Sequence, residues 1–365
     1  MKKNMMLIVI VLLTLSMACL CLPESLIPFS SSPTPRIEPI LPDPPDYQYE
    51  ELSTSGPWLL IETDEALWAA NADGSGLVQL TDVDYWHGNL KRAVQPGGNQ
   101  VVFISPASKD VFRGMVLNLL SIPDLSITTI TSLTSPETEA YVDLDPATDN
   151  YQGLRALRSP TSYAWSPDGT RLAFVGLMDG PSAEIYIYDT ISEEIQRVST
   201  DMGQNYSPSW SPDGNSLLYF TTDSPGISYN TTSVWLADGD GTSAHMLYMP
   251  ESSNERIVGW LDARSAVLTT WYPAAGYETV RLFDIDTNET ITLEDGWIPS
   301  SQADSELGMV MYASYEGLYL VTGEDLVPYL VSQDEVDRIF PVESGDNVFT
   351  VSFMNGNLAT YGTDE

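Results

Sequence analysis

The sequence predicts an all-β fold built from repeated four-stranded sheets, and three observations lead to this prediction. From Trp58 onward, short runs rich in β-branched and aromatic residues alternate with Gly, Asp, Asn, Ser and Pro, a pattern typical of strands joined by tight turns. One sequence motif recurs along the chain. No segment shows a convincing amphipathic helical pattern.

The clearest repeat is a turn motif flanked by apolar residues. Residues 163–174, which contain Trp-Ser-Pro-Asp-Gly, are echoed at 208–219, 45 positions later. A degraded third copy, Gly-Trp-Leu-Asp, begins at Gly259. Ser-Pro-Asp-Gly suits a type I turn, because Pro presets φ at the second position and Gly is favoured at the fourth. Each copy therefore predicts a hairpin between two strands.

A second hairpin follows each of these motifs, and two hairpins make a four-stranded sheet. The apolar strands that indicate it lie at 67–76, 184–189, 234–239 and 280–284. A period of about 40 to 50 residues with four strands per repeat is typical of a β-propeller, whose sheets, called blades, pack around a channel.

The central hairpins define seven blades, with six as the alternative. We expect an N-terminal segment such as residues 47–52 to complete the last unit and close the ring. The predicted units lie at 57–82, 92–133, 163–199, 208–249, 257–294, 303–332 and 337–362.

The sequence motifs of the repeats resemble those of a known family. Trp-Ser-Pro-Asp-Gly at 165–169 with Leu-Ala-Phe at 172–174, and Asn-Ala-Asp-Gly-Ser-Gly at 71–76 with Gln-Leu-Thr at 79–81, resemble the WD40-like PD40 repeats of TolB-type propellers. The resemblance implies a propeller, usually of six blades. TolB itself carries an α/β domain ahead of its propeller, whereas this chain has a proline-rich segment there.

The N-terminal region predicts export and a membrane tether. Residues 1–18 combine two lysines with a short apolar run, as signal peptides do. Ser-Met-Ala before Cys19 resembles a bacterial lipobox, which implies lipidation of Cys19. Residues 19–46 hold many prolines and predict an extended stalk, so 47–365 would form the propeller at the bacterial cell membrane or envelope. The alternative is an uncleaved signal anchor over 5–22.

Composition excludes several partners and cofactors. With 51 Asp and Glu against 15 Lys and Arg, the net charge is −36, which repels nucleic acid and anionic lipid headgroups. The two cysteines, Cys19 and Cys21, both lie in the leader region, so they provide no disulfide framework for the predicted propeller. With two histidines, His87 and His245, a histidine metal cluster is not expected.

No cofactor is predicted, with calcium as the alternative. The acid-rich segments 143–150 and 238–241 could supply oxygen ligands, although Asp-Gly runs at strand ends also form hairpin turns. The sequence carries no catalytic motif of a serine hydrolase, zinc protease or nucleotide-binding protein.

Ligand-binding residues are expected on the face opposite the Ser-Pro-Asp-Gly turns. Long loops meet there at 105–114, 221–232 and 271–278, together with an insertion at 134–162, and binding residues concentrate on loops held by a rigid scaffold. The candidates are the aromatic and arginine side chains Phe112, Arg113, Arg155, Arg158, Tyr229, Tyr272 and Tyr277. Trp165, Trp210 and Trp260 are instead expected to pack between blades.

These features predict a non-catalytic, membrane-tethered propeller that binds a protein, peptide or glycan at the cell envelope. The alternative is a carboxylate-based glycan hydrolase or lyase with its site in the channel, which needs two facing carboxylates.

Overall fold

The computed structural model describes residues 51–365 apart from several gaps. These are residues 63–65, 82–89, 106–113, 123, 141–148, 201–202, 223–230, 251–253, 273, 275, 297, 299, 306, 315–316, 324–325, 332–347, 355–357 and 365. The compact unit that contains them is Gln48–Glu365. The predicted signal peptide, Cys19 and the stalk lie outside the described residues and stay predictions.

The first half of the described chain contains ten strands and three short helices. They are β1 (Trp58–Glu62), β2 (Leu67–Asn71), β3 (Val78–Gln79), α1 (Leu90–Ala93), β4 (Gln100–Ser105), β5 (Val116–Ser121), β6 (Ile127–Ser132), α2 (Pro136–Ala140), α3 (Asp149–Leu157), β7 (Tyr163–Trp165), β8 (Arg171–Gly176), β9 (Glu184–Asp189) and β10 (Ile195–Arg197).

The second half of the described chain contains strands alone. They are β11 (Gln204–Trp210), β12 (Ser216–Thr222), β13 (Ser233–Asp238), β14 (His245–Tyr248), β15 (Asn254–Trp260), β16 (Ser265–Tyr272), β17 (Tyr277–Asp284), β18 (Thr290–Gly296), β19 (Ser300–Asp304), β20 (Met309–Ser314), β21 (Gly317–Thr322), β22 (Tyr329–Val331), β23 (Val348–Met354) and β24 (Leu358–Asp364).

Four successive stretches of chain each fold into an antiparallel four-stranded sheet whose strands follow the chain order. These are sheet 3 (β7–β10), sheet 4 (β11–β14), sheet 5 (β15–β18) and sheet 6 (β19–β22). They correspond to the predicted units that begin at 163, 208, 257 and 303. The prediction of an all-β fold with four-stranded repeats is therefore confirmed.

The two ends of the described chain share one sheet. Sheet 1 has the order β23-β24-β1-β2-β3, and β24 runs parallel to β1, with Leu59 opposite Ala359. Sheet 2 contains β4, β5 and β6, and an isolated bridge joins Val94 to Val101. The first and last of the seven predicted units thus lie in a single sheet, and the described residues form six sheets. Glu51 and Leu52, from the predicted closing segment, are not in a strand.

The Ser-Pro-Asp-Gly segments form the predicted tight hairpins. Gly169 has a φ of +69° and donates its backbone N–H to the Ser166 carbonyl at 2.8 Å, and Gly214 also has a φ of +69°. Asp168 Oδ1 accepts hydrogen bonds from Ser166 Oγ at 2.6 Å and from the Thr170 N–H at 3.1 Å. The carboxylate thereby fixes the turn between β7 and β8.

The repeated tryptophans pack between sheets, as predicted. Trp165, Trp210 and Trp260 are only 7%, 5% and 5% exposed. Trp165 Nε1 donates to the Ala93 carbonyl at 3.0 Å, which joins sheet 3 to the chain that leads into sheet 2. The other two indoles reach back to the preceding sheet in the same way. A large apolar side chain with one polar atom thus connects neighbouring repeats.

The helices α2 and α3 are a departure from the sequence prediction, which found no convincing helix. Both lie in the insertion at 134–162, and α3 buries Leu154 and Leu157. A nine-residue helix makes too few turns for a clear apolar period, so packing rather than pattern determines it. None of the helices in the described part of the chain has the length and apolar character of a membrane span.

Candidate functional site

A cavity of about 590 Å³ lies where the first strands of sheets 3, 4 and 5 begin. Its walls come from the end of α3 and the residues before β7, and from the first halves of β11 and β15. The lining residues are Arg155, Arg158, Ser159, Pro160, Thr161, Tyr206, Ser207, Asn254, Glu255, Arg256 and Ile257.

Three of the lining residues occupy the same position in successive repeats. Thr161, Tyr206 and Arg256 each lie four positions before the repeated tryptophan of their own sheet. Because strands of equivalent units are placed equivalently around such an array, the same repeat position faces the same space in three successive sheets. The variable residues before each tryptophan therefore determine the chemistry of the cavity.

Two of the seven predicted ligand-binding residues line this cavity. Arg155 lies in the last turn of α3 and Arg158 follows it. Tyr272 and Tyr277 face each other across the β16–β17 hairpin, with ring centroids 4.9 Å apart, and lie outside the lining. The other three predicted residues, Phe112, Arg113 and Tyr229, lie outside the described residues.

Sequence reasoning missed the strand residues of the cavity. Tyr206, Ser207, Glu255 and Arg256 fall just before the predicted units 208–249 and 257–294, and the prediction looked for ligands on long loops. Counting back four residues from each repeated tryptophan would have found Tyr206 and Arg256.

The wall formed by β11 is irregular and tightly held. Ser207 has a φ of +53° and lies in a bulge, where the β11–β12 register shifts between Tyr206 and Ser209. Its Oγ lies 2.6 Å from Thr161 Oγ1, so the walls from sheets 3 and 4 are hydrogen-bonded to each other. Strained backbone of this kind is concentrated at functional sites, and bulges redirect side chains there.

Tyr206 is fixed by its neighbours. Its hydroxyl lies 2.8 Å from Thr231 Oγ1, and its ring packs against Phe220 with centroids 5.8 Å apart. The tyrosine is therefore a rigid wall of the cavity.

Glu255 is the one carboxylate among the lining residues, and its charge is compensated. Its Oε2 accepts hydrogen bonds from Arg281 Nη2 at 2.7 Å and from Thr270 Oγ1 at 2.8 Å. The side chains of Glu255 and Arg281 are 1% and 15% exposed. Burial, together with the charge of Glu255, raises the pKa of the neighbouring Tyr248. A carboxylate held in this way is a structural anchor rather than a free acid or base.

Arg92 lies beside the cavity. From α1 its Nη1 donates a hydrogen bond to the Pro208 carbonyl at 3.0 Å, so the side chain reaches β11 in sheet 4. Pro208 follows the lining residue Ser207 in the chain. Desolvation by the surrounding structure lowers the pKa of Arg92 to about 10, and the nearby Tyr163 opposes that change.

The lining is thus cationic and rich in hydroxyl groups. The lining includes three arginines, Arg155, Arg158 and Arg256, and one carboxylate, Glu255, which is paired with Arg281. The charge of Arg256 also acts to lower the pKa of Glu278. In the described part of the chain, no group of three or more His, Cys, Asp or Glu side chains could hold a metal ion. Such a site can bind anionic and hydrogen-bonding groups.

The candidate calcium segments take different places. Residues 238–241 form the turn between β13 and β14, where the Gly241 N–H donates to the Asp238 carbonyl at 2.8 Å and Asp240 accepts from Thr242. They therefore adopt the hairpin alternative. Of the other segment, residues 143–148 lie outside the described residues, as does His87, while Asp149 and Asn150 begin α3.

Comparison with known proteins gives short matches to two curated proteins. Over 79 residues the chain is 38% identical to the Tol-Pal system protein TolB of Alcanivorax borkumensis, which is 21% of this chain and 18% of that protein. Over 59 residues it is 44% identical to the uncharacterised peptidase YuxL of Bacillus subtilis, which is 16% of this chain and 9% of that protein. The matched region thus spans less than a fifth of each curated relative.

The comparison with solved structures gives matches of low sequence identity. TolB from Acinetobacter baumannii is 17% identical with a TM-score of 0.42, and the match covers 74% of this chain and 63% of that one. An oligogalacturonate lyase from Vibrio parahaemolyticus is 11% identical with a TM-score of 0.47, covering 86% and 88%.

One family model matches most of the repeat region. Residues 123–324 match PD40, the TolB beta propeller domain. This range contains sheets 3, 4 and 5 and almost all of sheet 6, including every strand that lines the cavity. Because the match covers more than half of the 365-residue chain, the protein belongs to the TolB β-propeller domain family.

Proposed function

We propose that this protein is a non-catalytic binding or scaffold module that uses the cavity to hold a protein, peptide or glycan at the bacterial cell envelope. The observation that carries the proposal is the construction of the cavity from equivalent positions of three successive sheets. Rigid strands hold these side chains in place, which lowers the entropic cost of binding. Membership of the TolB propeller family supports a binding role.

The cavity supports binding better than the alternative of a glycan hydrolase or lyase. A carboxylate mechanism needs two carboxyl groups on either side of the substrate. Among the lining residues, Glu255 is the carboxylate present, and it is occupied by Arg281 and Thr270. Conversion of envelope glycans that is lost in Glu255→Gln while the fold persists would favour the enzyme instead.

We further propose a propeller of six blades. The support is the six sheets of the described chain, with the first and last predicted units combined in sheet 1. Pairing of β24 with β1 would then close the ring.

The membrane tether is proposed from the sequence. Lipidation of Cys19 and an extended stalk over 19–46 would hold the propeller away from the bilayer. Labelling with a radioactive fatty acid should mark the wild-type protein and not Cys19→Ala. Equal labelling of both would contradict the lipid anchor.

The binding role is tested by filling the cavity without changing its charge. Pro160 lines the cavity and is exposed, so Pro160→Trp should block it. The full-length protein is cross-linked in its host, purified through a C-terminal tag, and its partners are identified by mass spectrometry. In parallel, the purified protein is applied to an array of envelope glycans.

The matched control is Ile191→Trp, which places the same side chain on the turn after β9, where Ile191 is 80% exposed. We expect one protein or glycan to be retained by the wild type and by Ile191→Trp and lost by Pro160→Trp. A partner retained equally by all three proteins would contradict binding at the cavity.

A further inference from the structure

Asn254, which lines the cavity from the start of β15, holds an unused hydrogen-bond acceptor. Its Oδ1 is buried and has no hydrogen-bond partner in the part of the chain that the structure describes. A buried polar atom without a partner destabilises a protein, so such atoms are rare and call for an explanation. The terminal amide turns easily about χ2, which brings Oδ1 toward the cavity. A ligand that donates a hydrogen bond there would satisfy it.

Three hydroxyl groups on another wall of the cavity form a hydrogen-bonded chain with a proton to spare. Thr161 Oγ1 lies 2.9 Å from Ser159 Oγ and 2.6 Å from Ser207 Oγ. Each hydroxyl carries one proton, and these two hydrogen bonds use two of the three. The hydroxyl chain can therefore donate one further hydrogen bond to a ligand.

The charged groups of the lining already interact within the protein. Arg155 and Arg158 have interactions with other groups of the protein. The charge of Arg256 acts on Glu278, and Glu255 is paired. The unused acceptor and the spare proton belong to uncharged groups, so they favour a neutral ligand. A secondary amide, which carries one N–H and one C=O group, matches this pair.

The edge of β11 disfavours an extended peptide as the source of this amide. Extended peptides bind to sheets by adding a strand to an open edge, and β11 is the edge strand of sheet 4 that lines the cavity. There the strand has a bulge at Ser207, and the next residue, Pro208, has no N–H. The Pro208 carbonyl already accepts a hydrogen bond from Arg92. A regular ladder of main-chain hydrogen bonds cannot form at this position, which favours a compact ligand.

The cavity has the room and the apolar surface for a sugar that carries an acetamido group. Its volume of about 590 Å³ lies in the range of roughly 300–1,000 Å³ that is typical of small-molecule sites. Pro160, Tyr206 and Ile257 supply apolar atoms to the lining, which can contact the methyl of an acetamido group. An N-acetylated amino sugar thus combines a secondary amide, a methyl group and a compact ring in one ligand.

We propose that the cavity recognises the acetamido group of an N-acetylated amino sugar, whose N–H donates to Asn254 Oδ1 and whose carbonyl accepts from the hydroxyl chain of Ser159, Thr161 and Ser207. This inference rests on the proposed binding role and specifies the class of ligand. It makes Asn254 a recognition residue that contributes little to the stability of the free protein, because its Oδ1 has no partner there.

The test measures binding of N,N′-diacetylchitobiose, a disaccharide of N-acetylglucosamine, to the full-length protein by isothermal titration calorimetry. Cellobiose, which has hydroxyl groups in place of the acetamido groups, and the neutral peptide N-acetyl-glycyl-glycine amide serve as comparison ligands. We expect diacetylchitobiose to bind at least about tenfold more tightly than either of them.

Two variants address the two recognition groups. Asn254→Leu removes the amide and keeps a side chain of similar size. We expect it to weaken binding of diacetylchitobiose about tenfold without lowering the midpoint of urea unfolding, because it removes a buried atom that has no partner. Thr161→Val breaks the hydroxyl chain and should also weaken this binding. If Asn254→Leu does not fold, as judged by circular dichroism, Thr161→Val still decides the outcome.

The matched control is Thr279→Val. Thr279 lies in the same sheet as Asn254, and its Oγ1 is also buried without a hydrogen-bond partner in the described part of the chain, but it is not among the lining residues. This variant removes an equivalent polar atom away from the cavity and should leave the affinity for diacetylchitobiose unchanged.

Several results would overturn the inference. Equal affinity for diacetylchitobiose and cellobiose, or binding of neither, would show that the acetamido group is not recognised, and unchanged affinity in Asn254→Leu and Thr161→Val would place the ligand elsewhere. Tighter binding of the peptide than of the disaccharide would assign the cavity to peptides, and equal weakening by Thr279→Val would indicate an effect on the fold.

The proposed binding role is judged separately by Pro160→Trp. A cross-linked partner that is lost in Pro160→Trp and retained by Asn254→Leu would leave that role standing while contradicting recognition of an acetamido group.

Discussion

Trp165, Trp210 and Trp260 each donate a hydrogen bond to the repeat before their own. The acceptors are the Ala93 carbonyl at 3.0 Å, the Ala164 carbonyl at 3.0 Å and Ser209 Oγ at 3.1 Å. The guanidinium of Arg171 also lies over the ring of Trp210, with its Cζ 4.8 Å from the ring centroid. The indole thus contributes apolar area, a cation–π contact and one buried hydrogen bond.

We predict that Trp210→Phe lowers the free energy of unfolding by about 1–3 kcal/mol, because it leaves the Ala164 carbonyl without its indole donor while keeping an aromatic ring. The control is Trp235→Phe, since Trp235 is partly exposed and its Nε1 bonds to Ser233 Oγ on the same strand. Urea unfolding followed by circular dichroism measures both. Equal losses in the two variants would show that the link between sheets is not the source of the effect.

At the scale of the element, the tight turns depend on ionised aspartates. Burial opposes ionisation of Asp168, but hydrogen bonds from Ser166 Oγ and from Thr170 outweigh it and hold the pKa of Asp168 below its ordinary value. The pKa of Asp213 is lowered in the same way, with Ser211 and Asn215 as donors. Both repeats use the same device to join their first two strands.

The pH dependence of stability follows from these lowered pKa values. Above the ordinary aspartate pKa of about 3.9, the full contribution of the turns is present, and it is lost as pH falls through the lower pKa of the folded state. We predict that Asp168→Asn with Asp213→Asn destabilises the protein at pH 7 and that the difference from wild type shrinks toward pH 2. Urea unfolding across this range measures it, and a difference independent of pH would contradict the prediction.

Strands and turns could be predicted from the sequence because their signals are local. The Ser-Pro-Asp-Gly turns and the tryptophans at 165, 210 and 260 specify both the hairpins and the packing between sheets. The helix α3 and the bulge at Ser207 could not be predicted, because burial of Leu154 and Leu157 and the contact with Thr161 depend on distant parts of the chain.

For the same reason, only part of the candidate site could be predicted from the sequence. Arg155 and Arg158 were identified from their loop, whereas the hydrogen bond from Arg92 in α1 to the Pro208 carbonyl beside the cavity joins residues 116 positions apart. A contact of that range has no local signature in the sequence.

At the scale of the whole molecule, the two ends of the described chain support each other. β1 is bonded to β2 on one side and to β24 on the other, with Trp58 to Ile61 opposite Leu358 to Tyr361. Without β24, β1 would become an open sheet edge, and exposed edges promote pairing between molecules.

We predict that deleting residues 348–365 lowers the midpoint of thermal unfolding by at least about 5 °C and promotes association. Deleting only 363–365 removes residues that do not pair with β1, so the midpoint of thermal unfolding should fall much less. Differential scanning fluorimetry and size-exclusion chromatography with light scattering measure the two variants. Identical behaviour of both deletions would argue against a stabilising role for the β1–β24 pair.

The hydrogen bonds that the tryptophans make to the preceding sheet favour changes of chain length by whole repeats. Trp210 donates to the residue just before Trp165, and Trp260 to the residue just before Trp210. Sheets 3 and 4 therefore each carry an indole donor for the preceding unit and an acceptor for the following one. Because the two units are equivalent in this respect, gain or loss of one such unit as a whole would preserve the hydrogen bond between the units that become neighbours. We expect relatives of this protein to differ in length by complete sheets.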